Sequence, residues 1–161
     1  MIEELAAALL VFMVYILVAG SLTPYDIATG LLVSAITGLV TGKYLIRNPS
    51  KILQPQRLIL LIFYFFKYIT IIEFKSHMDV VKRIFNMNIK PGIVKIPVTV
   101  TSEYARLFVA NSITNTPGTV VIEERDGFFY VNWIDVSTKD PLEARRSISE
   151  EFETYASKIL D

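Results

Sequence analysis

Three long apolar runs occupy the first 72 residues of this chain, and they limit its fold more than any other feature. Residues 5–21 and 27–42 contain no charged residue, and a third run over residues 59–72 is interrupted only by Lys67. A segment that crosses a bilayer needs about 20 mostly apolar residues, with about 17 as the lower limit. The first two runs therefore predict a transmembrane helical hairpin.

The first run is interpreted as an uncleaved anchor. Acidic residues, Glu3 and Glu4, precede it where a signal peptide carries basic ones, and a second apolar run follows directly. The short connection between the two runs contains Pro24, which is typical of a turn. The alternative of a cleaved signal peptide is disfavoured by these features.

Small residues line one face of the second run. Gly30, Ser34, Gly38 and Gly42 are spaced four apart, so on a helix they share a face. Small residues at this spacing let another helix approach closely within lipid. We therefore predict that these four residues contact a neighbouring membrane subunit. The alternative is that glycine is simply frequent in membrane helices.

The basic residues predict how the hairpin is oriented. The connection over residues 21–26 has no Lys or Arg, whereas the next loop holds four. These are Lys43, Arg47, Lys51 and Arg57. Basic loops stay in the cytoplasm, so we expect the first turn outside and the second loop inside. The tail, from residue 90 onward, is also expected in the cytoplasm.

The third run is ambiguous because a third crossing would separate the second loop from the tail. At 100° per residue, its basic residues fall within one arc of a helix. These are Arg57, Lys67, Lys75 and Lys82. Such a stripe is typical of a helix that lies at an anionic surface or against an acidic partner. We predict two true spans followed by a long helix partly embedded at the cytoplasmic interface, with a third span as the alternative.

Composition excludes several classes of function. The chain has 16 basic and 16 acidic residues, so nothing in its charge indicates a nucleic-acid partner. It has no cysteine and a single histidine, His77, which argues against thiol catalysis, a Cys- or His-based metal site and a Ser-His-Asp triad. No cofactor is predicted. The first two runs also lack the ionisable groups that ion carriers need inside the membrane.

The tail predicts a small soluble domain. Residues 93–101 alternate apolar and polar side chains and predict a strand, with Pro97 favouring an edge position. A short helix capped by Ser102, two strands joined by Asp126-Gly127, and a final helix capped by Asp140 follow. The predicted fold class is an α+β membrane protein: a transmembrane helical hairpin plus a third apolar helix (residues 1–89, including a basic linker), then a β-α-β-β-α cytoplasmic domain (residues 90–161).

Two ordered motifs in the tail carry a resemblance to a known family. The block Asn111-Ser112-Ile113-Thr114-Asn115-Thr116-Pro117-Gly118-Thr119 is followed, after a hairpin, by Tyr130-Val131-Asn132-Trp133-Ile134-Asp135. With the apolar segments, the basic linker and Pro91-Gly92-Ile93-Val94, this order resembles the E subunit of the Mrp-type multisubunit Na+/H+ antiporters over nearly the whole chain. Related subunits occur in the antiporter-like module of archaeal membrane-bound hydrogenases and their sulfur-reducing relatives.

The resemblance implies a function and partners. It implies a non-catalytic accessory subunit of a multisubunit cation/proton antiporter, or of an archaeal hydrogenase-type complex, in the cell (plasma) membrane. The partners would be other polytopic membrane subunits and the lipid bilayer. The alternative is a stand-alone membrane-anchored interaction or assembly module.

The first motif has two interpretations. Pro and Gly after a helix suit a turn into a strand, and hydroxyl and amide side chains can satisfy the orphan backbone groups of a helix end. The other interpretation makes the motif a docking surface. Its candidate subunit contacts are Asn111, Thr114, Thr116, Pro117 and Gly118.

Overall fold

The computed structural model of this protein describes residues 2–45, 51, 54–87 and 89–161. Arg47, one of the basic residues of the predicted second loop, lies outside the described residues. Contacts within the chain form two compact groups, residues 1–54 and residues 55–161. The third apolar run therefore packs with the tail. The predicted boundary at residues 89 and 90 separates lipid from water, which these contacts do not test, so it stays a prediction.

The first compact unit is a helical hairpin. Helix α1 spans Ile2–Ala19 and helix α2 spans Pro24–Leu45. Both are long and apolar enough to cross a membrane. At the turn, the Ser21 and Thr23 hydroxyls donate to the Asp26 carboxylate at 2.6 and 2.5 Å, which satisfies the polar groups where α2 begins. The predicted pair of apolar helices near the N-terminus is confirmed.

A long helix opens the second unit. It consists of α3 (Pro55–Lys67), a π-helical segment (Tyr68–Ile72) and α4 (Glu73–Asn86), without a break. Its inner side packs on the tail through Leu60, Tyr64, Tyr68 and Ile72, which are spaced four apart. Such spacing drifts around a helix of 3.6 residues per turn, and the wider π turn absorbs that drift. The same side of the long helix therefore stays against the domain.

The tail forms a three-stranded antiparallel sheet with helices on one face. The elements are β1 (Gly92–Pro97), α5 (Glu103–Asn115), β2 (Thr119–Arg125), β3 (Phe128–Trp133), α6 (Pro141–Ile148) and α7 (Glu150–Ile159). The strand order is β1-β3-β2, so Pro97 ends an edge strand, where its missing N–H costs no ladder bond. Ile96, Phe129 and Val131 point into the core and are fully buried, together with Val109 and Ile113 of α5.

Local signals in the sequence correctly predicted three features of this domain. Ser102 accepts a hydrogen bond from the Ala105 amide and caps α5, as predicted. Asp140 accepts from the Leu142 and Glu143 amides and caps α6. Asp126 and Gly127 adopt φ angles of 53° and 77°, the left-handed pair that a tight hairpin requires.

The predicted single final helix is wrong. The chain breaks at Ser149 into α6 and α7, where the Ser149 backbone leaves helical geometry at a φ of −123° and its hydroxyl donates to the Glu153 carboxylate at 2.7 Å. The Glu143 side chain also does not close a capping box on the Asp140 amide. That amide donates to the Thr138 hydroxyl at 3.1 Å, and the same hydroxyl donates to Glu143 at 2.8 Å.

The predicted basic stripe is also wrong. Arg57 and Lys67 turn toward the domain, where Arg57 donates to the Ile159 carbonyl at 2.7 Å, while Lys75 and Lys82 are exposed. Counting 100° per residue fails here because the π-helical segment changes the phase of the helix. Large apolar side chains cover the outward side instead.

Candidate functional site

Helix α1 packs on the small-residue face of α2. Gly30, Ser34, Gly38 and Gly42 are all buried. A Cβ atom built on Gly38 would lie 2.6 Å from the Glu4 carbonyl oxygen, and one on Gly42 would lie 2.5 Å from the Glu4 Cα. The helix backbones are therefore in direct contact, and no larger residue fits without moving α1.

The rest of the hairpin interface is built from small and aromatic groups. A Cβ on Gly30 would lie 2.8 Å from the Tyr15 ring, and the Tyr15 hydroxyl shares a hydrogen bond of 2.8 Å with Thr29. The Ser34 hydroxyl donates to the Leu31 carbonyl at 3.0 Å, so it needs no partner from outside. The close helix approach that the glycine spacing indicates is thus made within the chain. Contact of these residues with another subunit stays a prediction.

The residues from Asn111 to Thr119 form a tightly bonded passage from helix to strand. The Thr116 hydroxyl donates to the Ser112 carbonyl at 2.7 Å, and the Thr119 hydroxyl donates to the Ile113 carbonyl at 2.8 Å. The Val121 amide donates to the Thr114 hydroxyl at 3.2 Å. These bonds satisfy the last carbonyls of α5 and a backbone amide of β2.

Pro117 and Gly118 complete the turn, and both are half-buried. Gly118 has a φ of +97°, a conformation that side chains strongly disfavour, and its carbonyl accepts from the Ile134 amide at 2.9 Å. The turn thereby ties the first motif to the second one. Asn111 and Thr114 are exposed, and contact of the motif with another subunit stays a prediction.

Two tyrosines of the long helix bind the motif, and sequence reasoning did not identify them. The Tyr64 hydroxyl shares a hydrogen bond of 2.7 Å with Ser112, and the Tyr68 hydroxyl donates to the Ser112 carbonyl at 3.3 Å. Burial raises the pKa of Tyr64 to about 12, against a smaller opposing effect of Ser112. Burial, followed by a hydrogen bond with Glu73, raises the pKa of Tyr68 above its usual range. The sequence signal that could have identified them is a pair of tyrosines four residues apart in an apolar run.

Charged side chains hold the long helix to the domain at three further points. Lys67 pairs with Glu151 at 2.6 Å, and this hydrogen bond is the main cause that raises the pKa of Lys67. Arg83 pairs with Asp79 at 2.7 Å and with Asp135 of the second motif. Together with Arg57, these residues place charged groups on the inner side of the long helix, whereas Lys75 and Lys82 of α4 are exposed.

A buried carboxylate joins β1 to the last two helices. The Glu153 side chain is 2% exposed and accepts from the Arg145 guanidinium at 2.9 and 3.0 Å. The hydroxyls of Ser149 and Thr99 also donate to it. Every oxygen of this carboxylate is therefore bonded, so the cluster is structural in character.

The described part of the chain contains no group of three or more His, Cys, Asp or Glu residues that could hold a metal ion. Acidic and basic residues occur in α1 and α2 only in their first and last turns: Glu3, Glu4, Asp26 and Lys43. The middle of the hairpin offers no charged group to an ion.

The sequence profile of a family described as Na+/H+ ion antiporter subunit matches residues 8–159. This chain belongs to that family. The predicted resemblance to the E subunit is confirmed by a second comparison. The Na(+)/H(+) antiporter E subunit of Alkalihalophilus pseudofirmus is 27% identical over 157 residues, covering 95% of this chain and 93% of that protein.

One solved structure extends the likeness to three dimensions. A chain from the structure of the membrane-bound sulfane sulfur reductase, an archaeal respiratory membrane complex, matches with a TM-score of 0.88 and 28% identity. The match covers 99% of this chain and all of the other. A chain of the Mrp complex from Dietzia sp. DQ12-45-1b matches over 67% of this chain, with a TM-score of 0.43 and 23% identity.

Proposed function

We propose that this chain is an accessory, non-catalytic subunit of a multisubunit ion-translocating membrane complex. The main support for this proposal is the family match over residues 8–159, together with a structural likeness that covers almost all of both chains. The two related proteins belong, by their descriptions, to a Na+/H+ antiporter and to a respiratory membrane complex. The partners of this chain are accordingly other membrane subunits.

The charges of the hairpin favour an accessory role rather than ion transport by this chain alone. Ion and proton pathways need ionisable groups inside the membrane, and α1 and α2 have them only at their ends. The small-residue face of α2 packs against α1 within the chain. This packing determines which side chains of the hairpin face outward, toward partner helices. That outward surface is mostly aliphatic, which suits contact with lipid and with apolar partner helices.

The tail lies on the cytoplasmic side in this proposal. The connection at residues 21–26 has no basic residue, while Lys43 lies in the last turn of the second helix and Lys51 follows that helix. Asn111, exposed at the start of the first motif, contacts another subunit in this proposal, since the hydroxyl of the likewise exposed Thr114 already accepts from the Val121 amide.

Removal of residues 90–161 tests the proposal in cells that contain the whole complex. We expect the shortened chain to lower the amount of assembled complex that co-purifies with a tagged partner subunit, and to lower cation-dependent proton movement in membrane vesicles. The variants Asn111→Ala and Glu143→Ala, both at exposed positions, form a matched pair in which only the first should affect assembly.

Intact and fully active complexes after the deletion would refute the accessory role of the tail. Purification in mild detergent distinguishes the accessory subunit from the main alternative, a stand-alone module. Recovery of the full-length chain as a lone small particle, with no polytopic partner in fixed proportion, would favour a stand-alone interaction module.

A further inference from the structure

The outward side of the long helix between Leu58 and Ile71, called here the outer face, is almost entirely apolar. Every exposed residue between Leu58 and Ile71 is aliphatic or a phenylalanine, with Thr70 as the exception. The exposed fractions include 67% for Ile59 and 61% for Phe66. The Thr70 hydroxyl donates to the Phe66 carbonyl at 2.7 Å, so this group needs no hydrogen-bond partner outside the helix.

The polarity of this helix is inverted relative to a helix on a water-soluble domain. Between Leu58 and Ile71, the groups that carry charge or bond to the rest of the protein face the domain: Tyr64 toward Ser112, and Lys67 toward Glu151. A surface helix in water has the opposite arrangement, with its apolar stripe inward and its charges outward. Contiguous apolar patches of this extent mark sites of interaction with a protein or a membrane.

We propose that the outer face is embedded in the acyl chains of one bilayer leaflet, with the helix lying along the membrane surface rather than crossing it. Residues Tyr64 and Tyr68 are bonded to the domain, so one side of the helix is not available to lipid. A helix that crossed with this domain attached would draw exposed charges of the domain, such as Lys95 and Glu103, into hydrocarbon.

Two observations favour lipid over a protein as the occupant. Protein interfaces carry about one hydrogen bond per 100–200 Å² of buried area, and the outer face offers no free donor or acceptor among its side chains. The chain also holds this face near a bilayer, because only the nine residues between Leu45 and Pro55 separate it from α2. Even fully extended, that connection reaches at most about 35 Å.

Helix α4 continues the surface with the mixed pattern of the headgroup region. Phe74, Met78 and Phe85 are exposed on it, and Lys75 and Lys82 are exposed beside them. Apolar residues flanked by lysine are typical of helices that lie in the interface plane of anionic membranes.

Spin labels test the inference on the full chain in lipid nanodiscs. The sequence has no cysteine, so Leu58→Cys, Ile62→Cys, Phe66→Cys and Ile69→Cys each carry one label without background. The depth of each label is measured by comparing its spin relaxation by oxygen with its spin relaxation by a water-soluble nickel chelate. Controls are Ile122→Cys on the exposed strand β2, for water, and Met13→Cys in the middle of α1, for the bilayer interior.

We expect all four labels to be oxygen-accessible and shallow, on the order of 5–10 Å into the headgroup boundary, at similar depths. A crossing helix would instead show depths that differ by about 16 Å between Leu58 and Ile69. That gradient would overturn the proposal, as would labels as nickel-accessible as Ile122→Cys, or labels shielded from both reagents by protein. Ile59→Cys and Phe63→Cys on the same face replace any variant whose circular dichroism differs from that of the parent chain.

Discussion

At the scale of single residues, position decides whether a small or charged side chain can change. Gly38 and Gly42 are glycines because the α1 backbone occupies the place of a side chain. Glu153 can be buried because four donors from Arg145, Ser149 and Thr99 bond to its carboxylate oxygens. Spacing in the sequence indicated the glycine face, whereas nothing in the sequence separated Glu153 from the exposed acids around it.

Gly38→Leu should destabilise the hairpin, because its side chain would displace α1. In water-soluble cores such overpacking costs about 1–3 kcal/mol. Ala35→Leu adds the same residue to the exposed side of α2 and should change stability by no more than about 0.5 kcal/mol. Thermal unfolding of both variants in one detergent measures the difference. Equal midpoints would contradict the close contact between α1 and α2.

Glu153→Gln should destabilise the tail more than any exposed substitution. The amide keeps the shape of the carboxylate but removes the buried negative charge that pairs with the Arg145 guanidinium, and breaking a buried pair costs about 3–5 kcal/mol. Glu150→Gln is the control, since Glu150 lies 3.8 Å from Arg145 with a half-exposed side chain, and surface pairs contribute about 0–1 kcal/mol. Chemical denaturation of the full chain compares the two variants.

At the scale of elements, the long helix was the hardest part to predict. Its apolar content was clear, and so was its helical character, but which side faced the domain depended on the π-helical segment at Tyr68–Ile72. The basic stripe built on ideal helix geometry failed for this reason. Helix α5 shows the same limit: the apolar Leu107 is 59% exposed, while the smaller Ala105 and the polar Ser112 are buried.

The contact between the long helix and the first motif should weaken in alkaline solution. The pKa of Tyr64 is raised to about 12 in the folded protein, whereas an unfolded chain loses this proton near its ordinary value of 10. The contribution of Tyr64 is therefore present below pH 10 and lost as pH rises toward about 12. Unfolding midpoints between pH 8 and 12 measure the loss.

Tyr64→Phe should flatten this alkaline decline and remove the hydrogen bond with Ser112, at a cost of about 1 kcal/mol at neutral pH. Tyr44→Phe, at a tyrosine that is 82% exposed, controls for the loss of a phenol. An unchanged slope above pH 10 in Tyr64→Phe would show that this phenol does not couple ionisation to folding.

At the scale of the whole molecule, the number of crossings determines on which side each part lies. Two crossings by α1 and α2 place Lys51 and the tail on one side and the hairpin turn on the other. Three crossings would separate Lys51 from the tail. Membership of the antiporter subunit family places the chain in a membrane, and the crossing number follows from whether the long helix inserts or lies flat.

Sidedness should be visible with single cysteines in intact cells. We expect an impermeant maleimide to label Leu22→Cys at the hairpin turn from outside, and to label Ser137→Cys in the tail only after the membrane is opened. The parent chain has no cysteine and should stay unlabelled. Labelling of Ser137→Cys in intact cells would contradict the cytoplasmic tail.

The sequence alone determined the properties that depend on neighbours along the chain. Apolar run length indicated the hairpin, alternation indicated the strands, and Ser102, Asp140 and Asp126-Gly127 marked caps and a turn, because each of these signals acts within a few residues. The two motifs identified the family. Only the tertiary structure decided that α1 fills the glycine face, that Tyr64 and Tyr68 bind the first motif, and that the long helix turns its apolar side outward. Those contacts join residues far apart in sequence, and their choice depends on which surfaces fit together in space, which no local pattern encodes.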